Sequence, residues 1–243
     1  MAQPELRLVW LYPDSMSLYG DRGNVIALTK RAEWRGVKVT VVPVGHGERL
    51  EEAPDVVLFG GGQDREQRGL EEDFLALKGP RLRDAIEDDV PVLAVCGGFQ
   101  MLAHGYRDAD GTTIRGLGVL DATTEAPPRG AARCIGNVVV HTECAGDLVG
   151  FENHGGRTKL GSCAPFGRVL SGHGNNGRDG TEGARYRNCF GTYLHGSLLP
   201  KNPRFTDLLL ALAVGRHEPG WQPAPLDDHI EQQAHDAALA QAR

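Results

Sequence analysis

The sequence predicts an α/β fold in which a central, mostly parallel sheet is flanked by helices. Short apolar runs alternate with amphipathic segments through the first hundred residues, as they do in such folds. The run that ends at Val95 leads directly into Cys96 and a glycine pair, which predicts a sharp strand-to-helix turn. Because no linker or internal repeat divides the sequence, we expect residues 1–243 to form a single domain.

Four segments of the first half have the composition of parallel strands, rich in Val, Ile and Leu. They span residues 5–12, 37–44, 55–61 and 91–95. Apolar residues recur with helical spacing over 22–35 and 64–88, and Gly79-Pro80 interrupts the second of these segments. A further helix is expected to begin just after Cys96.

The second half of the chain is richer in glycine and in short β-like runs, which lie between residues 112 and 196. These runs predict further strands and active-site loops added to the same domain. Residues 203–214 have the pattern of a helix. From about residue 226 the tail is polar and rich in Gln and Ala, which predicts a helix on the surface or against a partner.

Composition and charge narrow the classes of function. The net charge of -6 argues against a nucleic-acid-binding protein, which usually carries a basic face. The sequence has neither an apolar run of about 18 residues nor the basic and apolar regions of a signal peptide, so we expect a cytoplasmic protein. The five cysteines are odd in number and form no CxxC pair, so we expect neither a disulfide framework nor a metal site.

The segment PVLAVCGGFQML, residues 91–102, contains the strongest chemical signal. An apolar strand that enters a glycine pair and then a helix is typical of the turn on which a nucleophile is presented at the edge of a sheet. Cys96 is the predicted nucleophile, and the backbone N–H of Gly97 is a predicted donor to an oxyanion. The alternative is a buried structural cysteine at the end of a core strand.

A cysteine nucleophile needs a base within hydrogen-bond reach. His195 follows a strand-like run in FGTYLHGSLLP, residues 190–200, so a parallel strand there would bring it to the same edge as Cys96. Sequence spacing alone leaves His154 and His173 as competing candidates.

Three motifs resemble those of class I glutamine amidotransferases. CGGFQ at 96–100 resembles their nucleophile motif, Cys-x-Gly-x-Gln, and LFGGGQDRE at 58–66 resembles their oxyanion loop. GTYLHG at 191–196 resembles the catalytic-histidine motif of the cobyric acid synthase branch. The resemblance implies the class I amidotransferase-like fold, with Cys96 on a nucleophile elbow.

More closely, the chain resembles the amidotransferase subunits of lipid II isoglutaminyl synthases, over nearly its whole length. Seven motifs carry this resemblance, and their common order along the chain makes it specific. They are LYGDRGN (18–24), GGGQDREQ (60–67), CGGFQ (96–100), GLGVLD (116–121), GFENHGGRT (150–158), GNN (174–176) and GTYLHGSLLPKN (191–202). We assign no chemistry to GNN, because Asn and Gly are common in turns.

The resemblance implies roles for the residues around the predicted turn. Cys96 would be the nucleophile and His195 the general base. Gly62 would supply the second oxyanion donor beside Gly97, with Gly61 as the alternative.

Other residues would bind the substrate glutamine. Gln100 occupies the motif position that helps to hold glutamine, and Asn153 and Gly155 are further candidates. The family also has an arginine that contacts glutamine. Arg133 fits that position best and Arg129 is its competitor, and a guanidinium suits the task because it binds a carboxylate bidentately.

The chain departs from the usual pattern after the histidine. Class I amidotransferases commonly carry His-x-Glu, but Gly196 and Ser197 follow His195 here. The resemblance implies that a partner subunit donates an Asp to orient His195 and complete the triad.

The implied activity is hydrolysis of L-glutamine, with ammonia passed to a Mur-ligase-like synthetase in a heterodimer. That partner would amidate the D-glutamate of lipid II to D-isoglutamine, and the lipid substrate would bring the complex to the inner face of the membrane. No cofactor is expected in this chain, and ATP and Mg are expected on the partner. Two alternatives are an amidotransferase for cobyrinate-type amidation and a non-catalytic binding module with the same fold.

Overall fold

The computed structural model describes residues 4–128 and 130–242. The strands are β1 (Glu5–Leu11), β2 (Lys38–Val44), β3 (Val56–Phe59), β4 (Val92–Val95), β5 (Gly105–Arg107), β6 (Thr113–Arg115), β7 (Ala122–Glu125), β8 (Cys134–Thr142), β9 (Gly146–His154), β10 (Arg157–Leu160), β11 (Gly167–Ser171), β12 (Thr181–Glu182), β13 (Ala184–Tyr186) and β14 (Cys189–Thr192). The α-helices are α1 (Arg22–Glu33), α2 (Asp64–Asp73), α3 (Gly79–Glu87), α4 (Gly97–Leu102), α5 (Leu198–Lys201), α6 (Pro203–Gly215) and α7 (His229–Gln241).

A six-stranded sheet with the order β13-β14-β4-β3-β1-β2 forms the centre of the fold. Every neighbouring pair is parallel except β13 and β14, which are antiparallel. Alternate residues of β1 face opposite sides of the sheet, so that Leu8 and Val9 belong to two different apolar clusters. The prediction of an α/β fold with a mostly parallel sheet is confirmed.

The helical segment predicted over residues 64–88 breaks earlier than the sequence indicates. A π-helical turn at Phe74–Lys78 separates α2 from α3, and Gly79-Pro80 opens α3. Proline fits there because the first residues of a helix need no intrahelical N–H donor.

The carboxyl ends of β4 and β14 meet at one edge of the central sheet. Thr192 pairs with Val95, and the backbone N–H of Cys96 donates to the carbonyl oxygen of Thr192 at 2.7 Å. Because the two strands are parallel, the residues that follow them leave the sheet side by side. Cys96 and His195 therefore emerge at the same edge, as the sequence predicts.

The second half adds two four-stranded sheets, ordered β10-β7-β5-β6 and β12-β11-β8-β9. Strand β9 reaches the edge of the central sheet, where Phe151 and His195 exchange backbone hydrogen bonds of 2.8 and 3.2 Å. The C-terminal helix α7 lies near β8 and β9 with no buried residue, and His235 Nδ1 lies 2.9 Å from the carbonyl oxygen of Lys201. None of the helices within the described residues is long and apolar enough to cross a membrane.

A buried carboxylate fixes the chain just before His195. Glu182 accepts hydrogen bonds from the backbone N–H of Tyr193 at 2.6 Å and from the Thr192 hydroxyl at 3.0 Å. Burial raises the pKa of Glu182 to about 8, although these two hydrogen bonds oppose the shift. The side chain therefore holds the strand end while it is largely protonated at neutral pH.

This raised pKa predicts a pH-dependent stability. Folding takes up a proton at Glu182 between its unfolded pKa of about 4.3 and its folded value, so stability falls as pH rises through that window. Glu182→Gln is neutral at every pH and should lose this dependence. Urea unfolding at pH 6 and 8 should show wild type losing about 2 kcal/mol relative to the variant.

The exposed Glu125→Gln exchange serves as the control and should leave the pH dependence as it is in wild type. Parallel pH–stability curves for wild type and Glu182→Gln would contradict the prediction.

Candidate active site

Cys96 sits on a sharp turn between β4 and α4. Its backbone has φ 51° and ψ −104°, which is an unfavourable region for a residue with a side chain. The glycine that follows permits close approach of the 60–62 loop, because a Cβ on Gly97 would lie 2.9 Å from the backbone nitrogen and oxygen of Gly62. The turn places Cys96 at the edge of the sheet, next to the 60–62 loop.

His195 lies beside this turn and is buried, with 1% of its surface exposed. Gly61 separates it from the cysteine, since a Cβ there would be 2.6 Å from His195 Cε1 and 3.4 Å from Cys96 Cβ. The Tyr19 ring covers His195 edge-on at a centroid distance of 5.0 Å. Among the described residues, neither ring nitrogen of His195 has a hydrogen-bond partner.

The surroundings of His195 favour its protonated form. Burial by itself lowers the pKa of His195, but the neighbouring Cys96 and the carboxylate of Asp21 outweigh this effect and raise the pKa to about 10. A protonated imidazole next to a cysteine stabilises the thiolate, which is the reactive form of the nucleophile. A protonated His195 thus suits the predicted role of Cys96, which stays a prediction.

No carboxylate directly follows His195, but one that sequence spacing does not reveal comes from earlier in the chain. Asp21 is buried, and its Oδ1 lies 3.8 Å from His195 Nδ1, beyond hydrogen-bond distance. Its Oδ2 accepts the backbone N–H of Gly61 at 2.6 Å. The motif LYGDRGN contains this residue, but spacing alone could not bring it to His195.

The bond to Asp21 distinguishes the two candidate oxyanion donors of the 60–62 loop. The N–H of Gly61 donates to the Asp21 carboxylate and is therefore already hydrogen-bonded. A Cβ on Gly97 would lie 2.9 Å from both the backbone nitrogen and the carbonyl oxygen of Gly62, so the loop passes close to the turn at that residue. This bond disfavours Gly61 as an oxyanion donor, and the role of Gly62 and Gly97 as the donor pair stays a prediction.

Gln100 is buried behind the nucleophile, and its amide is bonded to other side chains. Its Oε1 accepts from Gln67 Nε2 at 2.9 Å, and its Nε2 donates to the Tyr193 hydroxyl at 3.1 Å. That hydroxyl lies 2.6 Å from the hydroxyl of Thr158. Gln100 lines the cavity but is held in a polar network, and its contact with glutamine stays a prediction.

Arg133 and Asn153 lie at the mouth of the site and contact each other. Asn153 Oδ1 accepts from Arg133 Nε and Nη2 at 3.2 Å, while Asn153 Nδ2 donates to the Tyr19 hydroxyl at 2.9 Å. Gly155 leaves room for the guanidinium, since a Cβ there would be 3.1 Å from Arg133 Nη1. The competing Arg129 lies outside the described residues.

A cavity of about 490 Å³ opens beside the turn, and the described residues that line it include His154 but not His195 or Gly97. Its lining includes Cys96, Gln100, Arg133, Asn153 and Gly62, five of the residues predicted from the sequence. The volume falls within the ~300–1,000 Å³ that is usual for small-molecule sites.

The two competing histidines have other environments. His154 stacks on Tyr193 at a centroid distance of 3.7 Å, and its Nδ1 lies 2.9 Å from the carbonyl oxygen of Gly156. His173 is exposed. His195 instead lies next to Cys96 across Gly61, which favours His195 as the base.

A cysteine on a strained strand-to-helix turn next to a buried histidine, within this fold, is the arrangement of a hydrolase of the glutamine amidotransferase type. The family of CobB/CobQ-like glutamine amidotransferase domains matches residues 7–203. The lipid II isoglutaminyl synthase (glutamine-hydrolyzing) subunit GatD of Staphylococcus aureus is 41% identical over 98% of this chain and 96% of its own length. The chain belongs to the CobB/CobQ-like glutamine amidotransferase family, in the branch that contains these GatD subunits.

Further relatives agree with this assignment. The GatD subunit of Streptococcus pneumoniae is 40% identical over 86% of this chain and 81% of its own length. A probable cobyric acid synthase of Methanothermobacter thermautotrophicus is 31% identical over 65% of this chain, which covers only 33% of that longer protein.

Solved structures support the fold. A glutamine amidotransferase has a TM-score of 0.57 at 19% identity, covering 84% of this chain and 98% of its own. The glutaminase domain of Trypanosoma brucei CTPS has a TM-score of 0.56 at 12% identity, covering 90% of this chain and 96% of its own. The predicted class I amidotransferase fold is thereby confirmed.

The environment of His195 predicts the reactivity of Cys96 without any substrate. His195→Gln removes the positive charge beside the thiolate, so the alkylation rate of Cys96 by iodoacetamide at pH 7 should fall roughly tenfold or more. Peptide mass spectrometry would follow Cys96 separately from the other cysteines. The exposed His173→Gln serves as the control, and equal Cys96 rates in wild type and His195→Gln would refute the pairing.

Proposed function

We propose that the chain is the glutamine-hydrolysing subunit of a lipid II isoglutaminyl synthase, supplying ammonia for amidation of the D-glutamate of lipid II to D-isoglutamine. The main support is that similarity to GatD subunits extends over 98% of the chain and includes the assembled Cys96–His195 site. A non-catalytic binding module would have no need for a strained cysteine paired with a buried histidine.

The chemistry is acyl transfer through Cys96. The thiolate attacks the side-chain amide carbon of L-glutamine, and the N–H groups of Gly97 and Gly62 stabilise the resulting oxyanion. His195 donates its proton to the departing nitrogen, which leaves as ammonia, and a thioester remains on the sulfur. Water then attacks the thioester while His195 accepts its proton, and L-glutamate leaves as the thiolate is restored.

Residues at the mouth hold the amino-acid end of the substrate. The Arg133 guanidinium binds the α-carboxylate, which suits its exposed position above the cavity. Asn153 orients Arg133 and also contacts the substrate. Gln100 supports the floor of the cavity behind Cys96.

The ammonia passes to a Mur-ligase-like partner, with which the chain forms a heterodimer. ATP and Mg bind to that partner, and no cofactor is assigned to this chain. The complex is cytoplasmic and meets lipid II at the inner face of the membrane.

The partner also donates an Asp to the triad. Support comes from His195 Nδ1, which lies 3.8 Å from Asp21 Oδ1 and lacks a hydrogen-bond partner among the residues that the structure describes. A carboxylate that the partner brings on assembly would supply the missing hydrogen-bond partner of His195 Nδ1 and orient the imidazole. If the isolated chain hydrolyses glutamine as fast as the complex, this part of the proposal fails.

The nucleophile and the acceptor can be tested in one reconstituted reaction. With the partner, ATP, Mg and lipid II, wild type should release glutamate and convert lipid II to its carboxamide, detected by mass spectrometry. Cys96→Ala should stop glutamate release and glutamine-dependent amidation, because no thioester can form. Added ammonium should restore amidation, since the synthetase partner is intact.

Cys144→Ala, which changes a half-buried cysteine outside the cavity lining, is the matched control and should be fully active. Glutamate release by Cys96→Ala would overturn the nucleophile assignment. Glutamine-dependent amidation of a cobyrinate acceptor in place of lipid II would favour the alternative function.

Arg133→Ala should weaken glutamine binding. Loss of a charge-assisted hydrogen bond costs about 1.5–3 kcal/mol, so the KM for glutamine should rise roughly 10- to 100-fold with little change in kcat. Steady-state glutaminase kinetics of the complex would measure both constants. Arg129→Ala is the direct comparison, and a larger KM effect there would transfer the role to Arg129.

A further inference from the structure

The segment Leu18–Asn24 carries a sequence motif to which the proposed chemistry assigns no part. It places the Asp21 carboxylate inside the active site with 3% of its surface exposed. A carboxylate buried this deeply is costly unless its oxygens are bonded or it faces a positive charge. Its Oδ2 accepts the Gly61 N–H at 2.6 Å, whereas its Oδ1 has no hydrogen-bond partner among the described residues.

The unpartnered oxygen faces the general base. Asp21 Oδ1 and His195 Nδ1 are 3.8 Å apart, and both atoms are buried. Gly61, which Asp21 holds, lies between His195 and Cys96 and directly precedes the proposed oxyanion donor Gly62. One carboxylate thus contacts the oxyanion loop and borders the histidine.

Two hydrogen bonds connect the segment Leu18–Asn24 to the residues that follow His195. Ser197 Oγ donates to the carbonyl oxygen of Gly20 at 2.7 Å, and Asn24 Oδ1 accepts the backbone N–H of Leu199 at 2.9 Å. These bonds fix the position of Asp21 relative to the backbone that carries the base. The placement of Asp21 is therefore built into the fold.

We propose that Asp21 is a positioning residue that links the oxyanion loop to the general base, holding Gly61 through one oxygen and orienting the His195 imidazolium electrostatically through the other. The inference rests on the proposed glutaminase function and adds a residue to it. Asp21 acts through Gly61 and His195. A carboxylate donated by a partner is compatible with this role, because Asp21 makes no hydrogen bond to Nδ1.

Substitutions can separate the effect of the Asp21 charge from the effect of its hydrogen bond to Gly61. The titratable groups that border His195 are Cys96, Asp21 and Tyr19. In a Cys96→Ala background the thiolate is gone, and Asp21 is then the carboxylate next to the ring. Asp21→Asn keeps an oxygen that can accept the Gly61 N–H but removes the charge, whereas Asp21→Ala removes both.

The first measurement is NMR titration of the His195 imidazole in full-length Cys96→Ala protein. Adding Asp21→Asn should lower the pKa of His195 by about one unit or more, because an adjacent opposite charge favours the charged form. The exposed Asp14→Asn is the matched control and should not change it. An unchanged pKa of His195 in the Asp21→Asn protein overturns the electrostatic part of the proposal.

The second measurement is steady-state glutamine hydrolysis by the assembled complex with Cys96 intact. Asp21→Asn should lower kcat roughly tenfold, in line with a one-unit change at the base, and leave the KM for glutamine unchanged. Asp21→Ala also frees the loop and should lower kcat by about 10²-fold or more, as expected when an oxyanion donor is displaced. A general loss of fold would instead raise KM and lower the unfolding midpoint in both variants.

Wild-type kcat in both Asp21 variants would overturn the proposal. Equal kcat losses in Asp21→Asn and Asp21→Ala would overturn the part that assigns the loop to Asp21. If wild-type complex hydrolyses no glutamine, the proposed function fails, and the His195 titration still decides the role of Asp21.

Discussion

The pairing of Thr192 with Val95 is the constraint on which the site depends. It sets the register of two parallel strands that carry Cys96 and His195 out of the same edge of the sheet. A shift of one residue would turn every side chain of β14 to the opposite face of the sheet. The 2.7 Å bond from the Cys96 N–H to Thr192 and the Glu182 carboxylate that holds the next residue both secure this register.

Burial gives the site its chemical character. His195 and Asp21 lie in a region where water is excluded, so each charge acts strongly on its neighbours. The structure leaves Asp21 Oδ1 and both nitrogens of His195 without hydrogen-bond partners among the described residues. Unpaired buried polar atoms are unusual in folded proteins, and here they surround the atoms that must transfer protons during the reaction.

The polar network behind Cys96 indicates another role for Gln100, the glutamine of the CGGFQ motif. Gln100 joins Gln67, whose helix follows the oxyanion loop, to Tyr193, which precedes the base. It can thus keep the loop, the nucleophile helix and the histidine strand in a common arrangement. Family resemblance assigns Gln100 to the substrate, whereas the contacts in the structure point first to this supporting role.

The sequence by itself determined the strands, the turn at Cys96 and the family, because apolar alternation, a glycine pair and motif order are local properties of the chain. It also selected His195, once the motif was recognised. Only the tertiary structure showed that Asp21 borders His195 and accepts the Gly61 N–H, since Asp21 is 40 residues from Gly61 and most of the chain from His195, and the three residues meet through packing. The π-helical turn at Phe74–Lys78 was likewise visible only in the structure, because Gly79 and Pro80, the local signals for a break, mark the start of α3 and not the turn before it.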